Sequence, residues 1–210
     1  MSRLSSMLIA SLCLLAAFRA HAQVGTRENL VDPNLVDAAV LRSLPHVTDA
    51  VADAIMEARP VLSALDLEAA LSELLNEEQR AALYERLFRQ INLNEADRRE
   101  IMLIPGMTSR MAREFEEYRP YTSLTQFRRE IGKYVDEAEV SRLEQYVFVP
   151  LKLNSASAED LMTIPGMTRR MVREFEEYRP YTSMEQFRRE IGKYVDASEV
   201  ARLESYVVLE

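Results

Sequence analysis

Glycine is followed four residues on by arginine at Gly106 and Arg110, and Gly166 is followed by Arg169 and Arg170; Gly132 and Gly192 are followed directly by Lys133 and Lys193. A glycine bend lets the backbone come close to an anion, and the free N–H groups that open the next helix offer donors and partial positive charge. A neighbouring cation completes a set suited to phosphate. Other chemistry has less material. Cys13 is the one cysteine of the chain, and His46 is the one histidine after residue 22. No spacing of His, Cys and carboxylates matches a metal site, and no phosphate-cradling glycine loop or nucleophile elbow occurs. We therefore expect no catalytic residue, no metal, no cofactor and no small-molecule substrate.

The elements that would hold these residues are written more than once. Ile104-Pro105-Gly106-Met107-Thr108 returns sixty positions later as Ile164-Pro165-Gly166-Met167-Thr168, and the stretches 104–147 and 164–207 agree at about 36 of 44 positions. The same step backwards reaches Leu44-Pro45-His46-Val47-Thr48. Arg59-Pro60, Arg119-Pro120 and Arg179-Pro180 fall in the same register. The expected fold is all-α, with three tandem repeats at 23–90, 91–150 and 151–210, each of about 60 residues and four short helices. Units this small are marginal alone, so neighbours should share buried surface.

Within each repeat the signals are caps and periodicity. Asn34, Asn94 and Asn154 are expected to open the first helix, and Thr108 and Thr168 to cap the second after the Pro-Gly break. Met111, Phe115 and Tyr118 fall at i, i+4 and i+7 and so form a core face, as do Met171, Phe175 and Tyr178. Ser63 and Asp66 are expected to start the third helix of the first repeat, and Asn76 with Gln79, Ser123 with Gln126 and Asp136 with Glu139 read as capping boxes. Tyr121 and Tyr181 read as packing residues. Residues 23–29 lack periodicity and read as a flexible lead-in, and only 146–149 reads as a possible strand.

Residues 1–22 stand apart. Arg3, the apolar run 7–18 and Ala20-His21-Ala22 have the pattern of a secretory signal peptide cleaved after Ala22, which implies export across the inner membrane to the periplasm. Removing Arg3 and Arg19 changes the net charge from -8 to about -10, with about -6 in the first repeat and about -2 in each of the others. Such a chain repels a generic polyanion, so any hold on nucleic acid must be local.

Leu93-Asn94, Ile101, Ile104-Pro105-Gly106-Met107 and Tyr118-Arg119 together resemble a helix-hairpin-helix unit of the competence protein ComEA type, with degenerate hairpins. Thr108 and Thr168 stand where the family has a second glycine. The resemblance implies an exported protein that holds double-stranded DNA by its backbone during DNA uptake, without reading sequence. It assigns the contacts to Gly106, Met107, Thr108 and Arg110, to Gly166, Met167, Thr168, Arg169 and Arg170, and, in a second hairpin, to Gly132, Lys133, Gly192 and Lys193. The first repeat has His46, Asp49 and Asp53 at matching places and is expected to hold no DNA. A second reading stays open beside this one: an exported interaction module, with a protein partner in the envelope, that keeps the fold without the ligand.

Overall fold

Thr48, Thr108 and Thr168 each stop the chain in extended geometry and turn the hydroxyl onto the backbone N–H three residues ahead, and a nine-residue helix starts at each. At Thr108 and Thr168 this is the N-cap that the sequence leads one to expect. The structure is a computed structural model and describes residues 23–209; the leader expected at 1–22 lies outside the described residues. The described chain is mostly helical. Among those residues, four helices, α1 (Ala38–Arg42), α2 (Asp49–Glu57), α3 (Ala64–Leu71) and α4 (Glu77–Tyr84), are followed by α5 (Arg98–Ile101), α6 (Ser109–Glu117), α7 (Leu124–Ile131) and α8 (Glu137–Glu144). A last group holds α9 (Ala158–Leu161), α10 (Arg169–Glu177), α11 (Met184–Ile191) and α12 (Ala197–Glu204).

Strands depart from the expectation of a purely helical chain. Among the described residues four two-residue strands occur: β1 (Ile91–Asn92), β2 (Val147–Phe148), β3 (Leu151–Lys152) and β4 (Val207–Val208). They pair in parallel, with Ile91 against Val147 and Leu151 against Val207, and a single bridge joins Val31 to Leu87 in the same sense. Each four-helix group therefore begins and ends on adjacent segments. The sequence pointed only to the second of these strands, because two residues carry no alternation to read.

Asn34, Asn94 and Asn154 do not cap helices. The N-caps of α1, α5 and α9 are Asp37, Asp97 and Ser157, three residues later in each case. Asn94 instead reaches the loop before the third helix: its side chain accepts from the N–H of Tyr121 at 2.6 Å and donates to the carbonyl of the same residue at 2.9 Å. Asn154 does the same to Tyr181, and Asn34 to Val61. Arg119 donates to the carbonyls of Leu93 and Ala96, and Arg179 to those of Leu153 and Ala156, so side chains supply the bonds these loops lack.

The cores follow the predicted stripes. Phe115 meets Phe127 edge to face at 5.2 Å, and Phe175 meets Phe187 at 5.1 Å. Tyr121 and Tyr181 are buried against these rings, as packing residues. One apolar cluster runs continuously from Leu41 through Phe88 to Val147, so the first two groups share a core; a second holds the last group with Val24 and Phe148.

Residues 23–29 are not a loose lead-in. Val24 is buried, Gly25 donates to the carbonyl of Val147, and Gln23 accepts from Val149, while the Gln90 amide reaches the Gly25 carbonyl at 2.9 Å. Gly25 has to be glycine, since a Cβ there would lie 1.8 Å from the Glu144 carbonyl oxygen. A polar seam then ties the first group to the last. The fully buried Arg89 guanidinium bonds the Tyr206 hydroxyl and Ser205, lies 4.3 Å over the Tyr206 ring, and shares Tyr206 with the buried Asp32.

Candidate nucleic-acid interface

Gly106 and Gly166 both sit at φ +73°, the left-handed region open to glycine, and the bend they make delivers the chain to Thr108 and Thr168. His46 occupies the same place at φ 62°, so the first group keeps the bend without the glycine. Some donors at these bends are used internally. Met107 and Met167 donate to the carbonyls of Ile104 and Ile164, and Met111 and Met171 to the threonine hydroxyls. Thr108 and Thr168 are therefore caps, and they orient the first turns of α6 and α10.

Arg110 and Arg170 stand in those first turns, exposed, and neither is paired with a carboxylate among the described residues. Each guanidinium lies over a tyrosine ring, Arg110 at 6.0 Å from Tyr134 and Arg170 at 5.9 Å from Tyr194. The tyrosines belong to a small cluster. The Tyr118 hydroxyl bonds that of Tyr134 at 2.8 Å, and Lys133 lies 4.9 Å over the Tyr118 ring; Tyr178, Tyr194 and Lys193 repeat this at 2.9 and 4.8 Å. The bond to Tyr118 pushes the Tyr134 hydroxyl well above its ordinary pKa. The first group has Ala58, Leu74, Glu73 and Ala50 at the matching positions, so the cluster is confined to the second and third groups.

Arg169 is placed differently from Arg170. With Arg173 it lines an open groove between α9 and α10, floored by Met162 and Val172, so the two arginines of the sequence motif point to different surfaces.

The second hairpin departs from the resemblance. Gly132 has φ -62° and Gly192 the same, right-handed values, and both are C-caps donating to the carbonyls of Arg128 and Arg188. Ser72 does this work in the first group. Lys133 and Lys193 are bonded to Glu130 and Glu190, whose side chains are also held by Arg129 and Arg189. That bond raises each lysine above its ordinary pKa and lowers each glutamate. Arg128 forks onto Glu144 at 2.5 and 2.7 Å. These cations are spoken for, whereas Arg110 and Arg170 are not.

Two arginines near the bends escaped the sequence reading. Arg142 donates to the Pro105 carbonyl at 2.7 Å while gripping Glu139 with two bonds, and Arg202 does so to Pro165 and Glu199. They lie 36 residues beyond Gly106 and Gly166, so no local pattern marks them. The repeated arginine at matching positions was the available signal. The two bends also differ in their cover. The place a Gly106 Cβ would take is 3.4 Å from Arg142, but that of Gly166 is 2.9 Å from a methyl of Leu35, which the first group lays over it.

Among the described residues no group of three or more His, Cys, Asp and Glu could hold a metal ion, and no helix is long and apolar enough to cross a membrane. No protein-family model matches the chain, and no match emerged among curated proteins or solved structures.

Proposed function

We propose that this chain is a protein of three tandem helix-hairpin-helix repeats, exported to the periplasm, that holds duplex DNA by its phosphate backbone without reading sequence. The observation that carries the reading is the pair Arg110 and Arg170: exposed guanidiniums in the first turn of a helix, beside a left-handed glycine bend, with no carboxylate partner among the described residues. In a chain with this much negative charge, many basic residues of the repeats are paired with a carboxylate, and these two are among those that are not. Each bend neutralises one or two phosphates, so binding is weak and falls steeply with salt. Lys133 and Lys193 contribute through their place in the tyrosine cluster rather than as free charges.

Fluorescence anisotropy with a labelled duplex, at low and at moderate salt, tests this. Changing Arg110 and Arg170 together to Ala should weaken binding roughly tenfold or more and lower the salt slope by about 2, equally for unrelated sequences. Absence of binding at low salt, or binding unaltered by these changes, sinks the reading.

A second reading has its own support. Leu35 over Gly166, and glutamates on the second-hairpin lysines, favour an interaction module that has kept the fold and lost the ligand, its acidic first repeat meeting a protein partner in the envelope. Its mark is the opposite outcome of the same titration, with the fold intact.

A further inference from the structure

The α1/α2 pair and the α9/α10 pair have the same backbone register, offset by 120 residues, yet their outer faces exchange charges at matching positions. Position by position, Asp49 stands where Arg169 does, and Asp53 where Arg173 does. Arg42 stands where Met162 does, and Met56 where Glu176 does. The α9/α10 face is an open groove of about 540 Å³ with two arginines over an apolar floor and Glu159 and Glu176 at its edges. Met162 is 42% exposed there, and neither Arg169 nor Arg173 has a carboxylate partner among the described residues. On the α1/α2 face Asp49, 82% exposed at its side chain, pairs with Arg42, Asp53 is exposed, and Met56 is 38% exposed.

The middle group does not offer this surface. There Arg98 bonds Glu116 across the matching groove, between the positions of Ala158 and Glu176. The two faces belong to the first and last groups, and their charges are complementary in pattern, with two arginines on one where the other has two aspartates. Two such faces turned against each other would let the arginines of one meet the aspartates of the other, and Arg42 the glutamates.

We propose that the α9/α10 face of one molecule docks on the α1/α2 face of a second copy of this chain, so that molecules associate head to tail. Two different patches meet, which makes the contact heterologous, and association continues past the dimer unless a ring closes. The inference is independent of DNA binding.

Sedimentation velocity of the purified, nuclease-treated protein, from about 10 µM to about 1 mM at low salt, reads it out, since a contact that rests on exposed ion pairs is weak and screened. The wild type should form a concentration-dependent series of species that dissociates at high salt. The pair Asp49→Arg and Asp53→Arg, and separately Arg169→Asp and Arg173→Asp, should each weaken association about tenfold or more, because like charges then meet. An equimolar mixture of the two double variants, and the quadruple variant carrying all four reversals, should each regain it. All variants should keep the wild-type far-ultraviolet circular dichroism, the positions being exposed. A wild type that stays monomeric throughout overturns the proposal. So does association that the double variants leave unaltered or that neither the mixture nor the quadruple restores. If the arginine reversals remove duplex binding while leaving the mass distribution unchanged, the groove belongs to nucleic acid and the self-docking is refuted.

Discussion

Replacing His46 by glycine should stabilise the protein. His46 holds φ 62° where Gly106 and Gly166 hold 73°, it is exposed, and its imidazole makes no hydrogen bond among the described residues. A Cβ in the left-handed region costs roughly 1–2 kcal/mol, and glycine gives back about 0.4–1 kcal/mol through the greater freedom of the unfolded chain. The difference leaves His46→Gly more stable by about 0.5–1 kcal/mol. The converse changes use the same arithmetic with the opposite sign. Gly106→Ala introduces the strain without a serious clash, its nearest foreign atom being an Arg142 side-chain nitrogen at 3.4 Å, and should cost about 0.5–1 kcal/mol. Gly166→Ala adds contacts of 2.9 and 3.1 Å with the two methyls of Leu35, so it should cost more, and Leu35→Ala in the same background should remove the excess. Urea unfolding followed by circular dichroism measures all of these. A lower midpoint for His46→Gly would refute the strain argument, and equal costs at Gly106 and Gly166 would refute the placement of Leu35.

Two further outcomes are expected. Burial pushes the Tyr206 hydroxyl up to about 12 from an unfolded value near 10, with Arg89 pulling the other way. Because the folded value is the higher one, its contribution is whole below pH 10 and is lost as pH rises toward 12, costing up to about 3 kcal/mol. Alkaline unfolding of Tyr206→Phe should show a shallower loss over that window, and an unchanged profile would count against the buried seam. Asn94→Ala leaves the backbone N–H and carbonyl of Tyr121 without the bonds they have now. It should lower stability by about 1–3 kcal/mol in the same urea assay, with Asn94→Asp only partly rescuing because it cannot donate to the carbonyl.

The helices with long enough stripes and a Ser, Thr, Asp or Asn before them were legible residue by residue. Thr108 and Thr168 cap as expected, and the boxes at Ser63 with Asp66 and Asn76 with Gln79 close in both directions. At Ser123 the box is only half made, because Gln126 reaches back one residue further, to the N–H of Thr122. At Asp136 it is half made because Glu139 turns to Arg142 instead. The first helix of each group was misplaced at its start. With four or five residues it has no period to read, and an asparagine three residues before the true cap draws the eye while its amide is committed to a loop 27 positions away. Residues 23–29 failed for a related reason: their partners lie at Val147 and Val149, and a segment fastened only by distant backbone has no local signature. At the candidate interface the sequence distinguished the basic residues by proximity to glycine, but not which of them would be neutralised. That depended on Glu130, Glu144 and Glu190, which sit on the same or a neighbouring helix and whose reach is set by the packed fold.

The parallel pairing at Ile91 with Val147, and again at Leu151 with Val207, leaves the two ends of a helical group side by side. A cassette with adjoining ends can be duplicated in place, or cut and rejoined elsewhere in the array, without stretching the chain that flanks it. The stretches 104–147 and 164–207, alike at about 36 of 44 positions, are two such cassettes set one after the other.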